Sequence, residues 1–190
     1  MERNMFQQRL REHEAVMNLL GALEGRVSEV ADLLADRLNE GCKVLTCGNG
    51  GSAADAQHFA AELLGRFQKE RAAWPAIALT TDTSMLTAVG NDYGFKRVFA
   101  RQVEGLGQAG DVLIGISTSG NSENVVEAVR MAGRKGMQTI GMLGGDGGQL
   151  GAMVDHALVV PDPVTARVQE AHIFLIHYLA EHIEARLGGA

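Results

Sequence analysis

The chain has 190 residues, 17 Lys and Arg against 23 Asp and Glu, and a formal net charge of −6. That balance speaks against the basic face of a nucleic-acid binder. A hydrophobic content of 46%, with no run near the ~18 apolar residues of a membrane span, reads as a globular, non-membrane chain. Its length suits one domain over 1–190, made of a helical pair at 1–40 and an α/β core at 41–190.

Two amphipathic helices are expected at 4–20 and 24–39, where Leu19, Leu20, Leu23, Val27, Val30, Leu33, Leu34 and Leu38 recur at three- and four-residue steps. Their apolar surface serves either to cover a sheet or to form a subunit interface. The start, Met1-Glu-Arg-Asn-Met-Phe6, lacks the apolar core of a signal peptide. Cys42 and Cys47, five apart in or beside one strand, point to opposite faces, too far for a disulfide, and suit a reducing compartment. A cytoplasmic location is expected.

Beyond Gly41 the pattern alternates. Strands are expected at 43–47, 76–80, 111–116, 138–143 and 156–160, and helices at 52–66, 84–90, 95–106, 122–134 and 164–187. Runs such as Val112-Leu-Ile-Gly-Ile116 are apolar throughout, as in parallel strands covered on both faces. The prediction is an α/β three-layer sandwich with a five-stranded parallel sheet plus the two N-terminal helices.

Two strand–loop–helix junctions carry chemistry. Gly48-Asn49-Gly50-Gly51-Ser52 follows the first strand, and its glycines permit close backbone approach to a ligand. Ser117-Thr118-Ser119-Gly120-Asn121-Ser122 follows the third strand and offers hydroxyls and backbone N–H groups to one anion. The helix N-terminus behind it adds roughly half a positive charge. No lysine lies in this loop, so it is not a nucleotide P-loop; neutral donors suit a sugar phosphate. The alternative is an ordinary capped helix start, since Ser, Thr and Asn are favoured N-caps.

His58 and Glu62 stand four apart on one helix face, able to hold a divalent metal or to place a carboxylate for proton transfer. Asp55 reads as a first-turn carboxylate matched to the helix dipole. In the last helix, Gln169 and His177 share a stripe with Ile173, Ile176 and Ala180. Eight residues separate them, about 12 Å along the axis and roughly 80° around it, an awkward spacing for one metal. A neighbouring subunit supplying His177 would ease it. His172 and His182 read as polar-face residues. Asn91-Asp92 reads as a turn, and Arg66 as a partner for phosphate or for a surface acid.

Four segments together resemble a known family: Cys47-Gly-Asn-Gly-Gly-Ser-Ala-Ala-Asp-Ala-Gln-His-Phe-Ala-Ala-Glu62, Ala88-Val-Gly-Asn-Asp-Tyr-Gly-Phe95, Gly110-Asp-Val-Leu-Ile-Gly-Ile-Ser-Thr-Ser-Gly-Asn-Ser122 and Arg167-Val-Gln-Glu-Ala-His172. Over nearly its whole length the chain is similar to the SIS (sugar isomerase) domain, and within it to the bacterial phosphoheptose isomerases. The resemblance implies a flavodoxin-like SIS fold. It also implies isomerisation of sedoheptulose 7-phosphate to D-glycero-D-manno-heptose 7-phosphate, the first step of ADP- or GDP-heptose synthesis for lipopolysaccharide core.

By the same resemblance, phosphate-binding hydroxyls fall on Ser52, Ser117, Thr118, Ser119 and Ser122, and substrate contacts on Asn49, Gly50, Gly51, Glu62, Asn91, Asp92 and Gln169. One Zn²⁺ per subunit falls on His58, Glu62, Gln169 and His177, the acid/base pair on Glu62 and His177, and the assembly is a homotetramer. A non-enzymatic branch of the family binds the replication initiator DnaA and lacks the carboxylate and final histidine that stand here as Glu62 and His177. A sugar-phosphate-sensing SIS module would ordinarily be fused to a DNA-binding domain, and residues 1–41 have no basic helix-turn-helix character.

Overall fold

A computed structural model describes residues 4–188. Helices α1 (Met5–Leu19) and α2 (Glu24–Asn39), joined through a 3₁₀ turn, lead into β1 (Val44–Gly48), α3 (Gly51–Leu64), β2 (Ala76–Ala78) and α4 (Thr83–Tyr93). A second 3₁₀ turn at Phe95–Arg97 precedes α5 (Val98–Leu106), β3 (Val112–Ser117), α6 (Glu123–Arg134) and β4 (Gln138–Gly144). The chain ends through α7 (Gly148–Gly151), β5 (His156–Val160) and α8 (Thr165–Leu187).

The five strands pair in parallel in the order β2-β1-β3-β4-β5. Alternate side chains divide between two cores. Val44, Val112, Ile114 and Ile116 pack under α1, α2, α3 and α8, while Leu45, Cys47, Leu113 and Leu143 pack under α4 to α7. This is the expected α/β three-layer sandwich, in the flavodoxin-like strand order. Connections leave β1 and β3 in opposite directions along the sheet, so a crevice opens between their carboxyl ends. The loops that follow those two strands are the two glycine- and serine-rich ones.

The leading helices differ in how much they bury. Helix α2 buries Val27, Val30, Ala31, Leu34, Ala35 and Leu38 and is a covering layer. Helix α1 buries Val16 and leaves Met5, Phe6 and Leu10 exposed. Helix α4 ends later than expected and strand β2 earlier. Helix α4 continues through Asn91 and Asp92, because Gly90 stays helical and the stop is Gly94 at φ +82°. Asp82 starts that helix by accepting from Met85 N–H at 2.9 Å. Strand β2 ends early, where the Leu79 carbonyl accepts from Gln102 Nε2 at 2.8 Å instead of from a strand.

His172 corrects its polar-face assignment: it is 0% exposed beneath the sheet. Its Nε2–H donates to the Leu143 carbonyl at 3.2 Å, and Nδ1 is buried without a partner among the described residues. Burial, opposed by that hydrogen bond, pushes the imidazole pKa down to about 4. A depressed histidine pKa favours the fold where the ring is neutral in both states. Stability is therefore full above the unfolded value near 6.5 and is lost as pH falls toward 4. His172→Asn should remove about 2 kcal/mol of the stability loss between roughly pH 7 and pH 5, read by urea unfolding at both pH values. Equal pH slopes in the two proteins would refute this.

Candidate functional site

The two loops meet at the mouth of the crevice. Gly50 opens α3 at φ +55° and ψ −122°, a conformation that strains any side chain, and Ser52 behind it is buried. In the second loop, Ser117 Oγ lies 2.9 Å from Ser122 Oγ and 3.5 Å from Ser119 Oγ. Ser122 occupies the N-cap of α6, yet its side chain makes no capping bond. It turns toward Ser117 instead, which argues against an ordinary capped helix start. Thr118 is half-buried and Ser119 exposed, so the hydroxyls line an open edge.

The backbone of this loop is braced from behind. Gly120 has φ +65°, and a Cβ there would clash with the Gly147 carbonyl. The Leu150 N–H donates to the Gly120 carbonyl at 2.9 Å, and Gln149 N–H to Asn121 Oδ1 at 2.9 Å. The one-turn α7 is thus the buttress of the hydroxyl loop; the glycine-rich Leu143–Gly151 stretch gave no helical periodicity to reveal it. The two loops are tied together by reciprocal amides. Asn49 Nδ2 donates to Asn124 Oδ1 at 2.9 Å, and Asn124 Nδ2 to Asn49 Oδ1 at 2.8 Å. Asn124 is 4% exposed and escaped the sequence reading; its one signal was a polar residue in the first turn of a strongly amphipathic helix. A shallow recess lined by Asn49, Phe95, Lys96, Ser122, Glu123 and Asn124 opens beside both loops.

Helix α8 lies against α3 within one chain. Gln169 packs against Gly51, where a Cβ would clash with its amide. Further along, His177 Nε2 approaches His58 Nε2 to 3.2 Å, and His58 Nε2 is 3.0 Å from Glu62 Oε1. The ring centroids of the two histidines are 5.0 Å apart. No second subunit is needed to bring His177 to His58. The four residues named for the metal divide, however: Gln169 stands against the first loop at Gly51, and His58, Glu62 and His177 stand together further along the helix pair.

His58 Nε2 faces both Glu62 Oε1 and His177 Nε2. The donor types, imidazole nitrogen and carboxylate oxygen, suit zinc, whose ~2.0–2.1 Å bonds set tetrahedral ligand atoms about 3.3 Å apart. Among the described residues no group of three or more His, Cys, Asp or Glu side chains is placed to hold a metal ion as it stands.

The remaining positions are placed as follows. Asp55 lies beyond the first turn of α3. Burial, only partly offset by His58, raises its pKa to about 6, the opposite of the dipole-stabilised carboxylate expected. Asn91 and Asp92 are exposed, with Asn91 Nδ2 bonded to Asp92 Oδ1 at 2.9 Å. Arg66 Nε reaches Glu70 at 3.7 Å on the surface. His182 stays on the polar face, 3.0 Å from Asp32.

Residues 11–144 match the SIS domain. The chain is 59% identical over 165 residues to the phosphoheptose isomerase of Geobacter sulfurreducens, covering 87% of each. It is 54% identical to phosphoheptose isomerase 1 of Campylobacter jejuni, covering 95% of this chain and 97% of the other. Among solved structures it is similar to phosphoheptose isomerase GmhA from Neisseria gonorrhoeae, with TM-score 0.86 and 49% identity over 95% of this chain and all of that one. A hydroxyl loop and a His–Glu–His cluster on a flavodoxin-like sheet, with relatives of this similarity, lead to one conclusion: the chain belongs to the SIS domain family, among the phosphoheptose isomerases.

Proposed function

We infer that this protein isomerises sedoheptulose 7-phosphate to D-glycero-D-manno-heptose 7-phosphate, the first step toward the activated heptose of lipopolysaccharide core. The observation that carries this reading is a neutral-donor hydroxyl loop after β3 and a Glu62–His58–His177 cluster between α3 and α8 in a chain 59% identical to a phosphoheptose isomerase. Ser52, Ser117, Thr118, Ser119 and Ser122 hold the 7-phosphate, and Asn49, Gly50, Gly51 and Gln169 face the sugar. Asn91 and Asp92 complete the substrate contacts. The non-catalytic, DnaA-binding alternative is not favoured, since it lacks the carboxylate and histidine present here.

Glu62 removes the proton from C1, and His177 delivers a proton to the C2 carbonyl oxygen, giving an enediol. Glu62 then returns its proton to C2 while His177 takes one from the C1 hydroxyl, leaving the aldose. Zinc, held by His58, Glu62 and His177 with Gln169 from about two turns earlier on α8, would act as a Lewis acid toward the two oxygens or as a template. A carboxylate cannot be a tight ligand and a free base at once, so either the metal would be loosely held or Glu62 would alternate between the roles. Purified protein given sedoheptulose 7-phosphate should form the aldose, followed by a coupled assay. Binding to DnaA without turnover would select the other reading.

The protein works in the cytoplasm as a homotetramer. Cys42 and Cys47 are free thiols, and burial raises the Cys47 pKa to about 12, so it is unreactive. Among the described residues no helix is long and apolar enough to cross a membrane. The tetramer reading is supported by exposed Met5, Phe6, Leu10 and Leu19 on α1 and by an apolar groove lined by Met17, Leu20, Phe174 and Tyr178. Light scattering should give four times the chain mass; a fully active monomer would refute it.

A further inference from the structure

Beyond the crevice, a buried ion pair joins the two helices that carry the acid/base cluster. Glu184, two turns past His177 on α8, is 2% exposed at its side chain, and Arg71, in the loop after α3, is 4% exposed. The Glu184 carboxylate accepts from Phe67 N–H at 2.7 Å, from Gln68 N–H and Lys69 N–H at 2.9 Å each, and from Arg71 Nε at 3.2 Å. Burial pushes its pKa up, but the three backbone donors and the guanidinium outweigh that and hold it below its ordinary value. Arg71 reaches back to the end of α3: Nη2 donates to the Glu62 carbonyl at 2.7 Å and Nη1 to the Leu63 carbonyl at 2.9 Å. Its guanidinium also stacks 3.5 Å over the Trp74 ring.

Replacing a buried ion pair by apolar residues is often neutral or stabilising, so stability alone gives weak grounds for this one. Its position supplies another. The N–H of Phe67 is held by Glu184, and the Phe67 ring stacks on the His177 imidazole at 5.5 Å between centroids and 27° between planes. The carbonyl held by Arg71 belongs to Glu62 itself. One clamp therefore reaches both members of the acid/base pair, one through its backbone and the other through an aromatic lid.

We propose that Glu184 and Arg71 are positioning residues of the isomerase, fixing Phe67 on His177 and the last turn of α3 so that Glu62 and His177 face one substrate in a set geometry. The inference rests on Glu62 and His177 being the proton-transfer pair. Small misplacements of such groups are costly in rate, up to about a hundred-fold for ~1 Å. Glu184→Gln keeps the shape of the side chain but replaces an acceptor by an NH₂ group facing backbone donors.

The test joins kinetics to a spectroscopic signature in the full-length protein. Glu184→Gln should lower kcat about ten- to hundred-fold with little change in KM, the pattern of lost transition-state geometry. The His177 ring-proton NMR shifts, set by the Phe67 ring current, should move toward those of Phe67→Leu. Ile140→Val, a sheet-core change away from the site, should leave both readouts at wild type at a comparable loss of melting temperature. If Glu184→Gln does not fold, Arg71→Lys, which keeps the charge but loses the fork geometry, should show the same two changes. Unchanged His177 shifts in folded Glu184→Gln or Arg71→Lys, or an equal kcat loss in Ile140→Val, would overturn the proposal. Should the wild type fail to turn over sedoheptulose 7-phosphate, the functional reading falls, while the ring shifts still decide whether the clamp sets the His177 geometry.

Discussion

Glu62→Gln should lower kcat by at least ~10² while the variant still binds substrate, the usual scale for an acid/base group. Glutamine preserves the shape of a side chain that is 19% exposed and 3.0 Å from His58 Nε2, so what disappears is the capacity to accept the C1 proton. His177→Ala should lose at least as much, since it also removes the contact to His58 and the stack under Phe67. Because the two act on one proton-transfer sequence, the double variant should be little worse than the poorer single one. Steady-state kinetics with calorimetric binding checks all three. Full activity in both single variants would sink the catalytic assignment.

Ser119→Ala should weaken substrate binding about 10- to 100-fold and change kcat less, because a hydroxyl bonded to a charged acceptor contributes roughly 1.5–3 kcal/mol. The distal phosphate keeps its charge throughout the reaction, so its anchor serves ground and transition states alike. Ser119 is exposed at the loop edge, and its Oγ accepts from Asn121 N–H at 3.2 Å. If titration showed normal binding by Ser119→Ala and none by Glu62→Gln, the roles would be reversed and the loop would be structural.

Strand positions were legible because parallel strands buried on both faces leave unbroken apolar runs. Val112–Ser117 and His156–Val160 lie within a residue of where those runs place them. The loops were legible because only glycine tolerates conformations such as that of Gly50. What could not be read is contact across the fold. Periodicity gave the stripe holding Gln169 and His177, but not that α8 would run beside α3 and bring one to Gly51 and the other to His58. His172 was misjudged because a helix between a sheet and its neighbours has more than one buried face. Glu184 lay in plain view as a carboxylate beside Ile183 and four residues after Ala180, yet its backbone partners come from a segment with no regular structure. Asp55 went wrong for a local reason, since α3 starts at Gly51 and puts it past the dipole's strongest reach.

The reciprocal amides of Asn49 and Asn124 have a consequence for how the crevice can change. Each side chain spends a donor and an acceptor on the other, so the joint carries no net charge and makes no claim on an incoming anion. Substitutions at Ser119 or Thr118 can alter what the rim grips without unlatching it from the first loop. The strength of the hold on an anion can then be set at the rim around a fixed joint, whereas a change at Asn124 would disturb the seating of every ligand alike.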